Sequence, residues 1–355
     1  MKRKIREWVL TIGAFILALY GYSLFSYFGI EKFLQDNLLT EYFDSGVWHI
    51  EVILGGLLLG MFFIGINSLA EHRSIRKKGY GFNILIKSVL NFVSLIVVCV
   101  IIFNGFILLE LITQEQVDEF DKLVSSNFIF SGLVYYATII LLMNLVLHIN
   151  KKIGPGSFMD LLMGKYYQPR SEEMIFLFLD LKGSTALAEK LGHNRYSRFI
   201  KDCIHELTPM IQKYQASVYQ YVGDEVVLYW DKKDGLSHVR CLKTFFDFIK
   251  ALNKREKFFM DKYGEIPRFK AGMDLGEVTA TEIGDIKRDI AFHGDVLNTA
   301  ARLEKKCNDF NEQLIVSQNL VNQVSSNGTY NYRFLSDLPL KGKSESISFY
   351  AVNPN

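Results

Sequence analysis

Met174-Ile-Phe-Leu-Phe-Leu-Asp-Leu-Lys-Gly-Ser-Thr185 is the stretch on which the reading of this chain turns. Met174–Leu179 is an apolar run of the length of a buried strand. Asp180 puts a carboxylate where that strand ends, and a turn at Gly183 opens a helix over Ser184–Leu191. A bare helix start at Gly183, Ser184 and Thr185 offers backbone N–H groups to phosphate oxygens. The carboxylate offers a hard oxygen ligand to Mg²⁺. On this stretch alone, Asp180 reads equally well as a helix cap.

Two later stretches change that balance. Ser217–Val222 and Glu225–Trp230 read as a hairpin around Gly223-Asp224, so Asp224 is a second carboxylate at a strand end. A Gly-Asp pair is also a common plain turn. Two aspartates on adjacent strand ends, however, suit a pair of divalent ions that activate one oxygen and stabilise another. In the third stretch, Phe292–Glu304, Asn298 and Arg302 are four apart and share one face of a helix over Val296–Cys307. An amide and a guanidinium there suit a ribose oxygen and a phosphoryl group gaining charge. Read singly, they are polar residues on a solvated helix face.

The remaining elements alternate. Helices are expected over Ser197–Tyr214 and His238–Tyr263, and strands over Arg268–Leu275, Glu277–Thr281, Asp289–Phe292, Gln313–Val316, Tyr330–Leu335 and Ser346–Val352. Hairpins interrupt the βαβ rhythm. This pattern predicts an α+β sandwich with helices on one face of a mainly antiparallel sheet.

The first 150 residues are of another kind. Four uncharged stretches, Trp8–Ile30, Val52–Ala70, Ser88–Leu109 and Leu123–Leu147, are each long enough to cross a hydrocarbon core of about 30 Å. The first exceeds a signal-peptide apolar region, and no small-residue cleavage site follows it. Charge-free spans argue against a transporter or proton pump. Asn67, Asn91, Asn104 and Asn144 are the polar exceptions, expected to bond helix to helix. Lys2, Arg3, Lys4 and Arg6 precede the first span, Arg73, Arg76, Lys77 and Lys78 separate the second from the third, and Lys151 and Lys152 follow the fourth. The other two loops are acidic. Basic loops stay in the cytoplasm, which places both termini and everything after residue 150 there, behind a multi-pass anchor in the cell membrane. The net charge of +2 gives no footing for nucleic acid. Cys99, Cys203, Cys241 and Cys307 are scattered, without a CxxC pair, as reduced cytosolic thiols would be. Residues 151–171, with Gly154, Pro155 and Gly156 at their start, read either as a plain tether or as a coupling element.

Together, the three motif stretches resemble the catalytic domain of class III adenylate/guanylate cyclases over about residues 172–353. The resemblance implies a ferredoxin-like α+β domain acting as a head-to-tail homodimer on a nucleoside triphosphate. It implies two Mg²⁺ or Mn²⁺ ions held by Asp180, Leu181 and Asp224, with Asn298 and Arg302 as transition-state residues reaching across the dimer interface. It further implies that Lys341, with Lys343 as the alternative, touches the triphosphate. The organisation expected is a four-helix membrane domain at 1–150, a linker at 151–171 and a catalytic domain at 172–355. No P-loop is present.

The base-reading pair departs from the family. Gln220 stands where adenylate cyclases of this class place Lys, and Ala291 stands at the partner position, usually Asp or Thr. The Glu and Cys that guanylate cyclases tend to carry there are also absent. Gln both donates and accepts, and Ala offers no side-chain hydrogen bond. ATP is the favoured substrate, with guanylate or pyrimidine cyclisation, or a catalytically silent nucleotide sensor, as the alternatives.

Overall fold

The structure is a computed structural model that describes residues 2–30, 46–70, 80–109, 127–153, 163–286, 288–324, 328–339 and 346–355. The chain divides into two compact units, Met1–Ile149 and Asn150–Asn355.

The N-terminal unit is built of α1 (Lys2–Ile30), α2 (Val47–Ala70), α3 (Tyr80–Leu108) and α4 (Asn127–Ile153). Each contains a segment long and apolar enough to cross a membrane: Glu7–Ser26, Val47–Ala70, Leu85–Leu108 and Phe130–Leu147. Their outward residues, such as Leu17, Phe25, Leu85 and Leu141, are apolar and exposed, as expected of helices that lipid would cover. Helices α1 and α2 meet backbone to backbone. A Cβ at Gly56 would lie 2.7 Å from the Ile16 Cα, and one at Gly60 2.9 Å from the Ile12 Cα. The Gly56-Leu-Leu-Leu-Gly60 spacing is therefore a small-residue packing seam.

Two expectations for this unit need correction. The helices begin earlier than the apolar runs, so Glu51 lies inside α2 and Lys87 inside α3, and both apolar segments carry a charge near one end. The asparagines mostly bond within their own helices. The side-chain amides of Asn67, Asn91, Asn104 and Asn144 donate to the carbonyls of Phe63, Lys87, Val100 and Ile140, each four residues back. Of these four side chains, Asn67 also bonds across helices among the described residues, accepting from Lys87 Nζ at 2.8 Å.

The C-terminal unit runs β1 (Arg170–Leu181), α5 (Ser184–Leu191), α6 (His193–Lys213), β2 (Ser217–Val222), β3 (Glu225–Asp231), α7 (Lys232–Leu236), α8 (Arg240–Lys254), α9 (Glu256–Tyr263), β4 (Phe269–Ile283), β5 (Asp289–His293), α10 (Asp295–Asp309), β6 (Leu314–Ser317), α11 (Gln318–Val324), β7 (Tyr330–Pro339) and β8 (Ser346–Pro354). The sheet order is β2-β3-β1-β4-β6-β8-β7, with β5 also paired to β4. Of the described strand pairs, β4·β6 is parallel and the others are antiparallel.

Alternation along β1 and β4 sends side chains to two different cores. Ile175, Leu177, Leu179, Phe269, Ala271 and Met273 pack with α6, α8, α9 and α11 through Phe199, Cys203, Phe245, Phe248, Phe259 and Leu320. Met174, Phe176, Phe178, Val278 and Ala280 face the other way, against Phe292, Val296 and Ala300. Helix α10 thus covers the opposite face, so the helices are not confined to one side as expected. Its approach is close: a Cβ at Gly272 would lie 2.2 Å from the Ala300 carbonyl oxygen and from the Glu304 nitrogen.

Three element boundaries also differ. The helix expected over His238–Tyr263 is broken, because His238 and Val239 adopt positive φ of 53° and 56° and Arg255 leaves the helix with its guanidinium on the Phe258 ring, 3.9 Å from the centroid. The two strands expected on either side of Gly276 are the single strand β4. That glycine leaves room for Val296 Cγ2, 2.7 Å from where a Cβ would stand. Helix α11 was not expected.

Gly272→Ala should force α10 off the sheet or strain the strand, costing about 1–3 kcal/mol by overpacking. Thermal unfolding of the purified chain should show the lowered midpoint. An unchanged midpoint would contradict this packing.

Candidate active site

The end of β1 and the tip of the β2–β3 hairpin are neighbours because β1 pairs with β3 up to Leu179↔Val226. One residue beyond that pair stands Asp180. On the other side, Gly223-Asp224 form a two-residue loop closed by Val222↔Glu225, with Gly223 at φ 62° in the first position. The Asp180 and Asp224 carboxyl groups come within hydrogen-bonding reach of one another. Burial raises both pKa values above the usual carboxylate range, and each feels further negative charge: Asp180 from Glu304, Asp224 from Asp180. Glu225 is raised too, by burial and then by Asp180 and Glu304. Asp224 Oδ2 is buried without a hydrogen-bond partner among the described residues.

One cation answers this charge. Lys270 of β4 is buried, 3.3 Å from Asp180 Oδ2, and also pairs with the buried Glu304 of α10. Burial alone would lower the Lys270 ammonium pKa, but Glu304 and Asp180 together outweigh it and hold the pKa up. A buried charge pair of this kind is costly to break from one side. Asp224 forms no ion pair with a Lys or Arg among the described residues, and its nearest influences are Ser184 and Asp180.

Helix α5 starts beside the carboxylates. Gly183 takes the left-handed conformation at φ 70° and caps the helix without a side-chain hydrogen bond. Ser184 and Thr185 then line a cleft of about 470 Å³ together with Asp224, Tyr196, His193 and Glu189. Free helix N–H groups next to a carboxylate pair suit a phosphate chain and its counter-ions. The Leu181 side chain is buried in the core, so its backbone carbonyl is the oxygen it could offer.

This set fits a divalent cation. It has two carboxylates in mutual reach, one buried oxygen without a partner, and pKa values that a cation would pull back down. Among the described residues there is no group of three or more His, Cys, Asp or Glu able to hold a metal. Carbonyl, water and phosphate oxygens would complete the shell, the usual arrangement for Mg²⁺.

Asn298 and Arg302 are elsewhere. Helix α10 buries Val296, Thr299, Ala300, Leu303, Glu304 and Cys307 against the sheet. Asn298 is exposed and Arg302 half-exposed on the other side. Neither lines the cleft, and neither side chain has a hydrogen bond or ion pair among the described residues. Gln220 is exposed on edge strand β2, just after a β-bulge at Val218/Gln220. Ala291 is buried on β5, opposite Thr281. Four strand spacings separate β2 from β5, roughly 19 Å. Lys341 and Lys343 lie outside the described residues. Lys270 and Tyr196 are not among the residues that the motifs point to, and the motifs give Glu304 no role. A lysine set between Phe269 and Ala271 in a buried strand is the signal for Lys270.

The family described as the adenylate and guanylate cyclase catalytic domain matches residues 166–353. Adenylate cyclase 2 of Rhizobium meliloti (strain 1021) is 32% identical over 207 residues, 58% of this chain and 57% of that protein. Adenylate cyclase of Anabaena cylindrica is 24% identical over 188 residues, 51% of this chain and 37% of that protein. The chain thus spans about half the length of these relatives or less. Among solved structures, that of a bacterial light-regulated adenylyl cyclase covers 61% of this chain and 64% of its own, at 22% identity and a TM-score of 0.52, a likeness of fold.

Burial raises the Asp224 pKa in the fold, so ionising this carboxyl costs stability, and metal-free stability falls as pH rises through the shifted range. Asp224→Asn should therefore raise the melting temperature in EDTA at neutral pH by a few degrees. The gain should vanish in acid, where the wild-type carboxyl is protonated. A lower melting temperature at neutral pH would contradict this electrostatic account.

Proposed function

This chain belongs to the adenylate and guanylate cyclase catalytic-domain family, and on that premise we propose that it is a membrane-anchored cyclase converting ATP to 3′,5′-cyclic AMP and pyrophosphate. The observation that carries the reading is the Asp180–Asp224 pair, one oxygen of it buried and unpartnered, beside the uncapped start of α5.

The ribose 3′-oxygen attacks the α-phosphorus, the bond to the bridging oxygen of the β-phosphate breaks, and pyrophosphate leaves. The hydroxyl proton passes to solvent. Two Mg²⁺ or Mn²⁺ ions, held by Asp180, Asp224 and the Leu181 carbonyl, would supply a lowered hydroxyl pKa and charge neutralisation on the leaving group. Gly183, Ser184 and Thr185 direct the start of α5 at the phosphates. Asn298 orients the ribose, and Arg302 stabilises charge growing on the α-phosphoryl oxygens. Lys341 is assigned to the triphosphate by likeness of its segment alone.

The outward face of α10 supports a homodimer in which each chain lends Asn298 and Arg302 to its partner's cleft. The distance between β2 and β5 supports the same arrangement for base recognition, with Gln220 from one chain and the Ala291 region from the other. Ala291 gives the base no side-chain hydrogen bond, and Gln220 can either donate or accept. This observation favours a second reading, cyclisation of GTP or a pyrimidine nucleotide.

Residues 1–150 anchor the enzyme in the cell membrane, 151–171 join the two parts, and 172–355 form the catalytic domain. The basic segments around residues 2–6, 73–78 and 151–152 support a cytosolic side for the catalytic part.

Detergent-solubilised protein given ATP, GTP, CTP or UTP with Mn²⁺ should yield cyclic AMP from ATP, identified by mass. Asp180→Ala and Asp224→Ala should abolish the product, and Arg302→Ala should lower kcat roughly 100-fold with little change in affinity. A cyclic product from GTP alone would select the second reading. No product from any of the four would leave nucleotide binding without catalysis.

A further inference from the structure

We propose that Tyr196 is a positioning residue for Asp224: with Ser184 it fixes the carboxylate so that its unpartnered oxygen faces the cation. This rests on the metal reading of Asp180 and Asp224 given above.

The geometry starts at the corner between α5 and α6. Gly192, at φ 71°, closes α5 by donating its N–H to the Ala188 carbonyl at 2.9 Å. Its own carbonyl accepts the Tyr196 N–H at 2.9 Å, so α6 starts within one residue. The sharp turn brings Tyr196, one turn into α6, back over the start of α5. Its ring packs on the apolar core. Its hydroxyl reaches both the Ser184 hydroxyl and the Asp224 carboxylate, and all three residues line the same cleft. Two hydroxyls therefore flank one carboxylate whose Oδ2 is buried and has no partner among the described residues.

A phenol suits this task. Its ring is held by packing and has only two side-chain torsions, so little freedom is lost in aiming the hydroxyl. Hydrogen bonds to a metal-bound carboxylate set its orientation and are costly to remove.

The test is a Mn²⁺ titration by electron paramagnetic resonance on the full chain in detergent. It is run with saturating 3′-deoxy-ATP, which lacks the attacking hydroxyl, or with the 3′-deoxy form of whichever nucleotide the product assay selects. Tyr196→Phe keeps the ring and removes only the hydroxyl. It should weaken Mn²⁺ binding roughly tenfold with an unchanged melting temperature. Ser184→Ala should shift binding the same way, and the double variant should lose less than the product of the two, because both hydroxyls act on one carboxylate. If Asp224→Ala abolishes binding while Tyr196→Phe stays within about twofold of wild type, a margin within ordinary coupling error, the inference is overturned and the metal reading stands. A lowered melting temperature with unchanged Mn²⁺ affinity would make Tyr196 a structural tie and also overturn it. If Asp224→Ala binds Mn²⁺ like wild type, the metal reading itself fails, and the inference with it.

Discussion

Two carboxyl groups sit side by side at the end of β1 and the tip of the β2–β3 hairpin, and the surrounding structure is arranged around that repulsion. A fold avoids such a pair unless something offsets it. Lys270 answers Asp180 from the neighbouring strand, but it also serves Glu304. Asp224 is left with hydroxyl neighbours and one buried oxygen without a partner among the described residues. The deficit of positive charge is local and specific, and a divalent cation with a phosphate chain would fill it. The open start of α5 lies where those phosphates would go.

Helix α10 is the second constraint. It packs so tightly that Gly272 has no room for a Cβ, and its Glu304 is tied through Lys270 to Asp180 at the end of β1. Its other face is left outward, with an amide and a guanidinium that have no partners among the described residues. One helix is thus fixed to its own site on one side while offering Asn298 and Arg302 on the other. On the reading proposed above, such a half-site is completed in a symmetric pair.

Much of this was legible in the sequence because it is local. Asp180 follows six apolar residues, and Asp224 sits in a two-residue hairpin loop between apolar strands, so each strand-end carboxylate shows in its own neighbourhood. The spacing of Asn298 and Arg302 sets their shared face. What was not legible depends on residues far apart in the chain. Lys270 matters because Glu304 and Asp180 converge on it, and Tyr196 because the corner at Gly192 turns it back over Ser184. Gly276 reads as a strand break but makes room for Val296. The helix break at Val239 comes from a left-handed backbone at His238 and Val239 that the apolar periodicity of the segment does not show. In the N-terminal unit the number of spans follows from composition. Their ends do not, because Glu51 and Lys87 are drawn into helices that outrun the apolar segments. The seam that Gly56 and Gly60 make between α1 and α2 was not among the sequence expectations.

The central claim is that each catalytic centre takes its carboxylates from one chain and its Asn and Arg from another. Chains carrying Asp224→Ala and chains carrying Arg302→Ala should each be inactive alone, and cyclase activity should be measured after the two are co-expressed. Random pairing makes about half of the dimers mixed, each with one intact centre, so about a quarter of wild-type activity should return. If mixing restores nothing although mixed dimers form, the carboxylates and the Asn–Arg pair do not meet across the interface, and the account is wrong.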